Sequence, residues 1–355
     1  MINKNRKICI STWYRSTNYG TGLQALALEK FLEDLGYSCY FLEDKREGKR
    51  RNIPTSRRKI SPSLIRIAVL KLKNKKSFER RRKLIHKYDQ EQNKVFEINT
   101  EKDVEKLNQE TNVFIAGGDQ IWNPYVLEKK HLFTMVQDDK KMISFGTSVG
   151  VTEIPVELRK LYKTYLSRFQ SISVREVQSV QALDFLQQEV TEVIDPTLLF
   201  NENGWRFLTD RAEVDEVHLS RPYILCYFIG ERKTYWNYVK KIQKEIGYRV
   251  LVIPVNYAGY DNKYEKMTDV TMKEFLVLIQ RAEIVCTDSF HATLFSIQSQ
   301  NGRLENMLER YGLYDRLIQD ESNFKREKIK GYERILEKIK NEREGSVKWL
   351  MQALE

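Results

Sequence analysis

Two separate series of alternating strand-like and helix-like patterns run along this chain of 355 residues, and they restrict its fold more than any other feature. In the first, Lys7 to Thr12 is a short apolar run and Asn18-Tyr19-Gly20-Thr21-Gly22 a polar glycine loop. From Leu23, the residues Leu23, Leu26, Ala27, Leu28, Phe31, Leu32 and Leu35 recur at helical spacing until Gly36. Glycine stops a helix there because it takes the left-handed conformation without steric cost. Ser38 to Leu42 then reads as a second strand. This strand–loop–helix–strand order opens a parallel, doubly wound sheet.

Thr111 to Ala116 and Met142 to Thr147 continue as strands, the first running into Gly117-Gly118-Asp119. Pro155 to Leu166 and Val177 to Leu186 read as helices with the strand Ser171 to Val174 between them, and Val190 to Ile194 leads into Asp195-Pro196-Thr197. The second series begins with the strand Tyr223 to Ile229. It continues through helix Trp236 to Ile246, strand Val250 to Pro254, helix Met272 to Ala282 and strand Ile284 to Thr287. The expected fold class is α/β, with two Rossmann-like domains facing each other across a cleft. Residues 1–205 form the N-terminal domain, the expected acceptor side, with a basic insertion at 45–95. Residues 206–330 form the C-terminal domain, the expected donor side, and 331–355 a helix returning to pack on the first domain.

At 41% hydrophobic residues the chain can bury two cores. No apolar run approaches the roughly eighteen residues of a membrane span, so a cytoplasmic protein is expected. Cys9, Cys39, Cys226 and Cys286 lie far apart in or beside strand-like runs and read as small core residues, not as a zinc cluster or a disulfide framework. The net charge of +11 is concentrated: Lys45 to Lys87 carries eighteen Lys or Arg against Glu47 and Glu79, a local +16 that leaves −5 for the remainder. Leu64, Ile65, Ala68 and Leu72 recur at helical spacing among these cations, which suits an anionic membrane face, or equally a solvated insertion. Nucleic acid is not expected, because no recognition signature accompanies the charge.

Several positions could carry chemistry. Asp288-Ser289-Phe290-His291 follows directly on a strand and opens a helix, whose unpaired N–H groups favour an anion. His291 there is either an acid/base or a structural histidine, and Asp288 either a ligand contact or a cap. Arg175, at the end of a strand, can grip a carboxylate or phosphate with its fork, or pair with Glu176. The Asn18 to Gly22 loop lacks GxGxxG and GxxxxGK[ST], so neither NAD nor a P-loop nucleotide is expected. Gly117-Gly118-Asp119-Gln120-Ile121-Trp122-Asn123 combines a tight turn, a carboxylate, amides and an indole suited to a sugar; alternatively, Trp122 packs in the core.

Together, Asn18-Tyr19-Gly20 with Leu23-Gln24-Ala25-Leu26-Ala27-Leu28, Gly118-Asp119-Gln120-Ile121-Trp122-Asn123, Ser173-Val174-Arg175-Glu176, Asp195-Pro196-Thr197 and Thr287-Asp288-Ser289-Phe290-His291-Ala292 resemble the ordered landmarks of the polysaccharide pyruvyl transferase family. The resemblance covers about residues 7 to 315. It implies a GT-B glycosyltransferase-like fold, phosphoenolpyruvate as donor, and as acceptor a capsular or other cell-surface polysaccharide or its lipid-linked precursor; no cofactor is expected, no metal site is read from the residues, and the basic segment would meet a lipid-linked acceptor at the inner membrane face. It further implies His291 as acid/base and Arg175 as donor-binding cation, and Asp119 is expected to orient the acceptor. Asp288, Ser289, Asn18, Tyr19, Gly20, Gly118, Gln120, Trp122 and Arg303 are the implied binding positions. The chain departs from the family pattern at Ser289, where some members have arginine, and in the short connection 298–303. A nucleotide-sugar glycosyltransferase and a non-catalytic glycan-binding protein are the competing readings.

Overall fold

The computed structural model of the chain describes residues 6–16, 18–46, 69, 72, 74–77, 79, 80, 83, 94–215, 219–232, 234–298, 310–313 and 331–355. A parallel sheet organises the first half: β1 (Lys7–Ser11), β2 (Ser38–Asp44), β3 (Val95–Ile98), β4 (Val113–Gly117) and β5 (Lys141–Phe145) lie in the order β3-β2-β1-β4-β5. Strands β6 (Ile172–Val174) and β7 (Val190–Glu192) pair with each other, and the bridges Ile143↔Ser171 and Thr147↔Val174 carry them onto the β5 edge. Ile8, Cys9, Ile10, Phe114, Ile115 and Ala116 are all buried. Both faces of the sheet are therefore covered, which is why these strands read as continuous apolar runs.

Helix α1 (Tyr19–Asp34) starts four residues earlier than the apolar spacing predicts. Asn18 caps it, its Oδ1 accepting the Gly20 N–H at 3.1 Å, so the expected glycine loop is the helix's first turn. The helix has two apolar faces. Ala25, Leu28 and Leu32 pack with Ile8, Ile10 and Ile115 of the first sheet. Tyr19, Leu23 and Ala27 belong to the core of the second domain, with Leu225, Tyr227 and Phe275. Helix α2 (Glu101–Glu110) and β3 were absent from the sequence expectation, although Thr100 and Asp103 form a capping box at the α2 start. The remaining helices of this half are α3 (Val156–Leu166) and α4 (Val177–Ala182).

The second domain repeats the plan with β8 (Tyr223–Tyr227), β9 (Arg249–Val252), β10 (Glu265–Lys266) and β11 (Ile284–Thr287), ordered β10-β9-β8-β11 and parallel throughout. Its helices are α5 (Thr234–Ile246), α6 (Met272–Arg281) and α7 (Phe290–Gln298). Helix α8 (Tyr332–Leu354) joins the first core through Ile335, Ile339, Leu350, Ala353 and Leu354. The Ile194 N–H donates to Ser346 Oγ at 3.0 Å, and Arg6 Nη1 donates to the Leu354 carbonyl at 3.1 Å. No helix among the described residues is long and apolar enough to cross a membrane. Most of the expected insertion at 45–95, and the whole connection 299–303, lie outside the described residues.

Candidate active site

In each sheet the strand order reverses beside the first strand of the domain, between β1 and β4 in one and β8 and β11 in the other. Chains leave the carboxyl ends of such strands in opposite directions and open a crevice there. Residues just past these strands, with those past β6 and β7, converge on one guanidinium. Arg175, following β6, donates from Nη2 to Asp119 Oδ1 at 2.8 Å, from Nη1 to Asp195 Oδ2 at 2.8 Å and from Nε to Glu176 Oε2 at 3.0 Å. The Phe290 ring centroid lies 4.3 Å from its guanidinium carbon, a cation–π contact from the second domain.

Each carboxylate is fixed in turn. The Thr21 hydroxyl donates to Asp119 Oδ2 at 3.0 Å. Asp195 Oδ1 accepts from the Thr197 N–H at 2.9 Å and its hydroxyl at 2.7 Å. Glu176 Oε1 accepts from the Ser148 and Ser179 hydroxyls, both at 2.6 Å. His291, in the first turn of α7, brings Nε2 to 3.5 Å from Asp195 Oδ2 and 3.4 Å from Arg175 Nη1. Residue 20 must be glycine for this approach, since a Cβ there would lie 2.3 Å from His291 Cβ.

Burial alone would raise the Asp119 carboxyl, but Arg175, His291 and the Thr21 hydrogen bond outweigh it and hold the group below the usual carboxylate range. Burial would likewise raise Asp195, and His291, Arg175 and Thr197 hold it well below that range. Both stay ionised. Arg175 remains charged because its three carboxylates overcome desolvation. His291 is 2% exposed and Arg175 6%, whereas the Asp119 and Glu176 side chains are 21% and 25% exposed and form the solvent edge of the cluster. The cluster is thus a buried imidazole beside an ionised carboxylate, with two further carboxylates toward solvent.

The Asp119 N–H donates to Gln24 Oε1 at 3.1 Å, and Gly118 (φ 112°) makes the turn that allows it. Gln24 Nε2 and Thr12 Oγ1, both buried beside this turn, have no hydrogen-bond partner among the described residues.

A profile of the polysaccharide pyruvyl transferase family matches residues 18–300, which includes every element of this cluster. The chain belongs to that family. Among curated proteins no significant match exists. Two solved structures show the fold it shares. One is a UDP-N-acetylglucosamine 2-epimerase from Listeria monocytogenes, with TM-score 0.51, 10% identity, and 97% of this chain and 91% of that chain covered. The other is an α-glucosyltransferase in complex with UDP and a 13-mer DNA, with TM-score 0.51, 10% identity, and 98% and 96% covered. The protein therefore has the two-Rossmann-domain architecture of GT-B enzymes, and its family is one of polysaccharide transferases.

Within this pyruvyl transferase family member, the structure brings together His291, Arg175, Asp119, Gly20 and Gly118 and separates other expected site residues. Trp122 is corrected from sugar platform to core residue: it is fully buried, its Nε1–H donates to the His131 carbonyl at 2.9 Å, and its ring packs edge-on to Phe169. Gln120 (φ 54°) is exposed, accepts from Asn123 Nδ2 at 3.1 Å and shapes the turn. Tyr19 is also buried, its hydroxyl donating to the Val270 carbonyl at 2.6 Å and its ring stacked on Phe275. Asn18 Oδ1 accepts from Tyr227 as well as capping α1, so both residues join the domains.

Asp288 accepts from the Ile229 and Gly230 N–H groups at 2.6 and 2.8 Å, fastening the loop after β8, and Ser289 Oγ accepts the Ala292 N–H at 3.4 Å as the α7 cap. Of the two readings of Arg175, the pairing with Glu176 is present, and the guanidinium also holds Asp119 and Asp195. Arg303 lies outside the described residues. The sequence reading missed the roles of Thr21 and Asp195, and that of Arg310, which donates to the Arg175 carbonyl at 3.4 Å and to Glu192 at 2.8 Å.

Proposed function

We propose that this protein transfers a pyruvyl group from phosphoenolpyruvate to hydroxyls of a saccharide, with His291 as the acid. The carrying observation is the placement of His291: an imidazole in the first turn of α7, just past the carboxyl end of β11, against an ionised carboxylate of the opposite domain.

Transfer of a proton from His291 to the methylene carbon of the donor makes C2 electrophilic, and a sugar hydroxyl adds there. The adding hydroxyl returns its proton to His291, and a second hydroxyl then displaces phosphate, which carries off that hydroxyl's proton, closing a ketal that carries the new methyl group and the carboxylate. Asp119, held ionised and therefore a weak base, suits the orientation of the acceptor hydroxyl more than removal of its proton. Arg175 keeps Asp119 and Asp195 in place across three strand ends. A positioned acid of this kind contributes on the order of 10²–10⁴ in rate.

The test is phosphate release from phosphoenolpyruvate with a glycan acceptor, with ketal formation followed by mass spectrometry. His291→Gln is expected to abolish both, and near-normal ketal formation by that variant would refute the assignment. Thermal stabilisation by a nucleotide sugar, and none by phosphoenolpyruvate, would favour a glycosyltransferase instead. We further propose that the cationic stretch 45–87 meets an anionic membrane carrying a lipid-linked acceptor. Val69 and Leu72 are 57% and 73% exposed, close in sequence to Lys75 and Lys76. Flotation with liposomes that does not depend on anionic lipid would sink this part.

A further inference from the structure

We propose that Asp195 is a positioning residue for His291, its carboxylate setting the imidazole's orientation from the opposite domain. The inference rests on the reading of His291 as the acid. Asp195 follows β7 in the first domain and is 3% exposed. Its Oδ1 is pinned by two donors from Thr197, so the carboxylate cannot rotate, and Oδ2 is left facing Arg175 Nη1 at 2.8 Å and His291 Nε2 at 3.5 Å. That separation exceeds a direct hydrogen bond, about 2.7–3.2 Å. Such contacts commonly tighten when substrate binds.

The opposite edge of the ring is confined as well, because a Cβ on residue 20 would stand 2.6 Å from Nδ1. The ring is therefore clamped between an ionised carboxylate and a glycine backbone. Among the described residues, the other charged groups that interact with it are Arg175, from beyond β6, and Asp119, from beyond β4. Among the described residues Asp195 is the carboxylate nearest the Nε2 edge, and this fixed group, beside Arg175 Nη1 at 3.4 Å, holds the ring's orientation. A carboxylate present only to neutralise Arg175 would serve folding and would leave the pH dependence of turnover alone.

Asp195→Asn keeps the shape and removes the charge. The expected result is about a 100-fold fall in kcat, with KM for phosphoenolpyruvate within about twofold of wild type, and a displaced limb of the pH–rate profile. A melting temperature that drops while kcat and the pH profile hold would overturn the proposal. If Asp195→Asn does not fold, Thr197→Val decides, since it removes one of the two pins on Oδ1. A smaller loss of kcat with the same displacement of the pH limb supports the proposal, and an unchanged profile overturns it. His291→Gln separates the two ideas: an active His291→Gln defeats the acid assignment itself, whereas an inactive one beside a normal Asp195→Asn defeats this inference alone.

Discussion

Gly20 and His291 touch across the two domains with no room to spare: a β-carbon on residue 20 would lie 2.3 Å from His291 Cβ and 2.5 Å from Cγ. Real Cβ atoms do not approach so closely, so α1 and α7 must separate in Gly20→Ala. Overpacking of this kind costs about 1–3 kcal/mol, and it moves the imidazole away from Asp195. A lowered melting temperature and a large loss of turnover are expected. Gly345→Ala is the control, because a Cβ at that position in α8 meets nothing within 4 Å. There the same chemical change should stabilise by about 0.5–1 kcal/mol through helix propensity. Equal responses of the two variants in urea unfolding would contradict the clamp.

Arg175→Met removes the cation from among Asp119, Glu176 and Asp195. Breaking a buried ion pair from one side costs about 3–5 kcal/mol, and the three carboxylates here also repel one another. The sign with pH follows from the depressed carboxyls. In the wild type their contribution is present above the ordinary carboxylate range and lost as pH falls through the lowered native values. The variant has lost that contribution already. The stability gap between the two proteins should therefore be widest near pH 7 and narrow as pH falls below about 4. A gap of constant size over this range, read from urea midpoints, would mean that the loss is one of packing.

Leu350 tests whether α8 belongs to the first core. It is fully buried, packed in one cluster with Ile8, Ile10 and Ile143 although more than two hundred residues separate it from them in sequence. Leu350→Ala should cost about 2–5 kcal/mol and lower the single unfolding transition of the first domain. A loss under about 0.5 kcal/mol would show that the helix is peripheral.

The alternation of strands and helices was legible because both sheets are parallel and buried on two faces, so their strands stand out as unbroken apolar runs. The start of α1 was not. Gly20 and Gly22 look like loop residues, yet each is small because a side chain from the other domain, His291 or Met272, lies against it. The α2 start was legible in Thr100 and Asp103 but lay beside the basic segment, where no apolar periodicity drew attention to it. In the site, Arg175 and His291 could be picked out by their strand-end positions. The pairing of Arg175 with Glu176 could be named as well, but those with Asp119 and Asp195 could not, since these lie 56 and 20 residues away in sequence and only the register of three strand ends brings them together. Trp122 carried two readings, and burial of the indole beside Phe169 chose between them.

Glu29 gives a prediction of opposite sign to the site carboxylates. It lies on α1, 4% exposed, facing Glu33 of the same helix, Cys39 of β2 and Lys94. Burial first, then the neighbouring Glu33, push its carboxyl from 4.5 up to about 8, against the opposing pull of Lys94. Between these two pH values the native protein holds a proton that the unfolded chain has released. Stability must then fall as pH rises through that window, by up to about 1.4 kcal/mol per unit for one proton. Glu29→Gln keeps the volume and cannot ionise. It should match the wild type near pH 4.5 and become progressively more stable than it toward pH 8, after which the difference levels off. Urea unfolding of both proteins at pH 5, 6, 7 and 8 reads this directly, and parallel curves would show that Glu29 is ionised in the native protein after all.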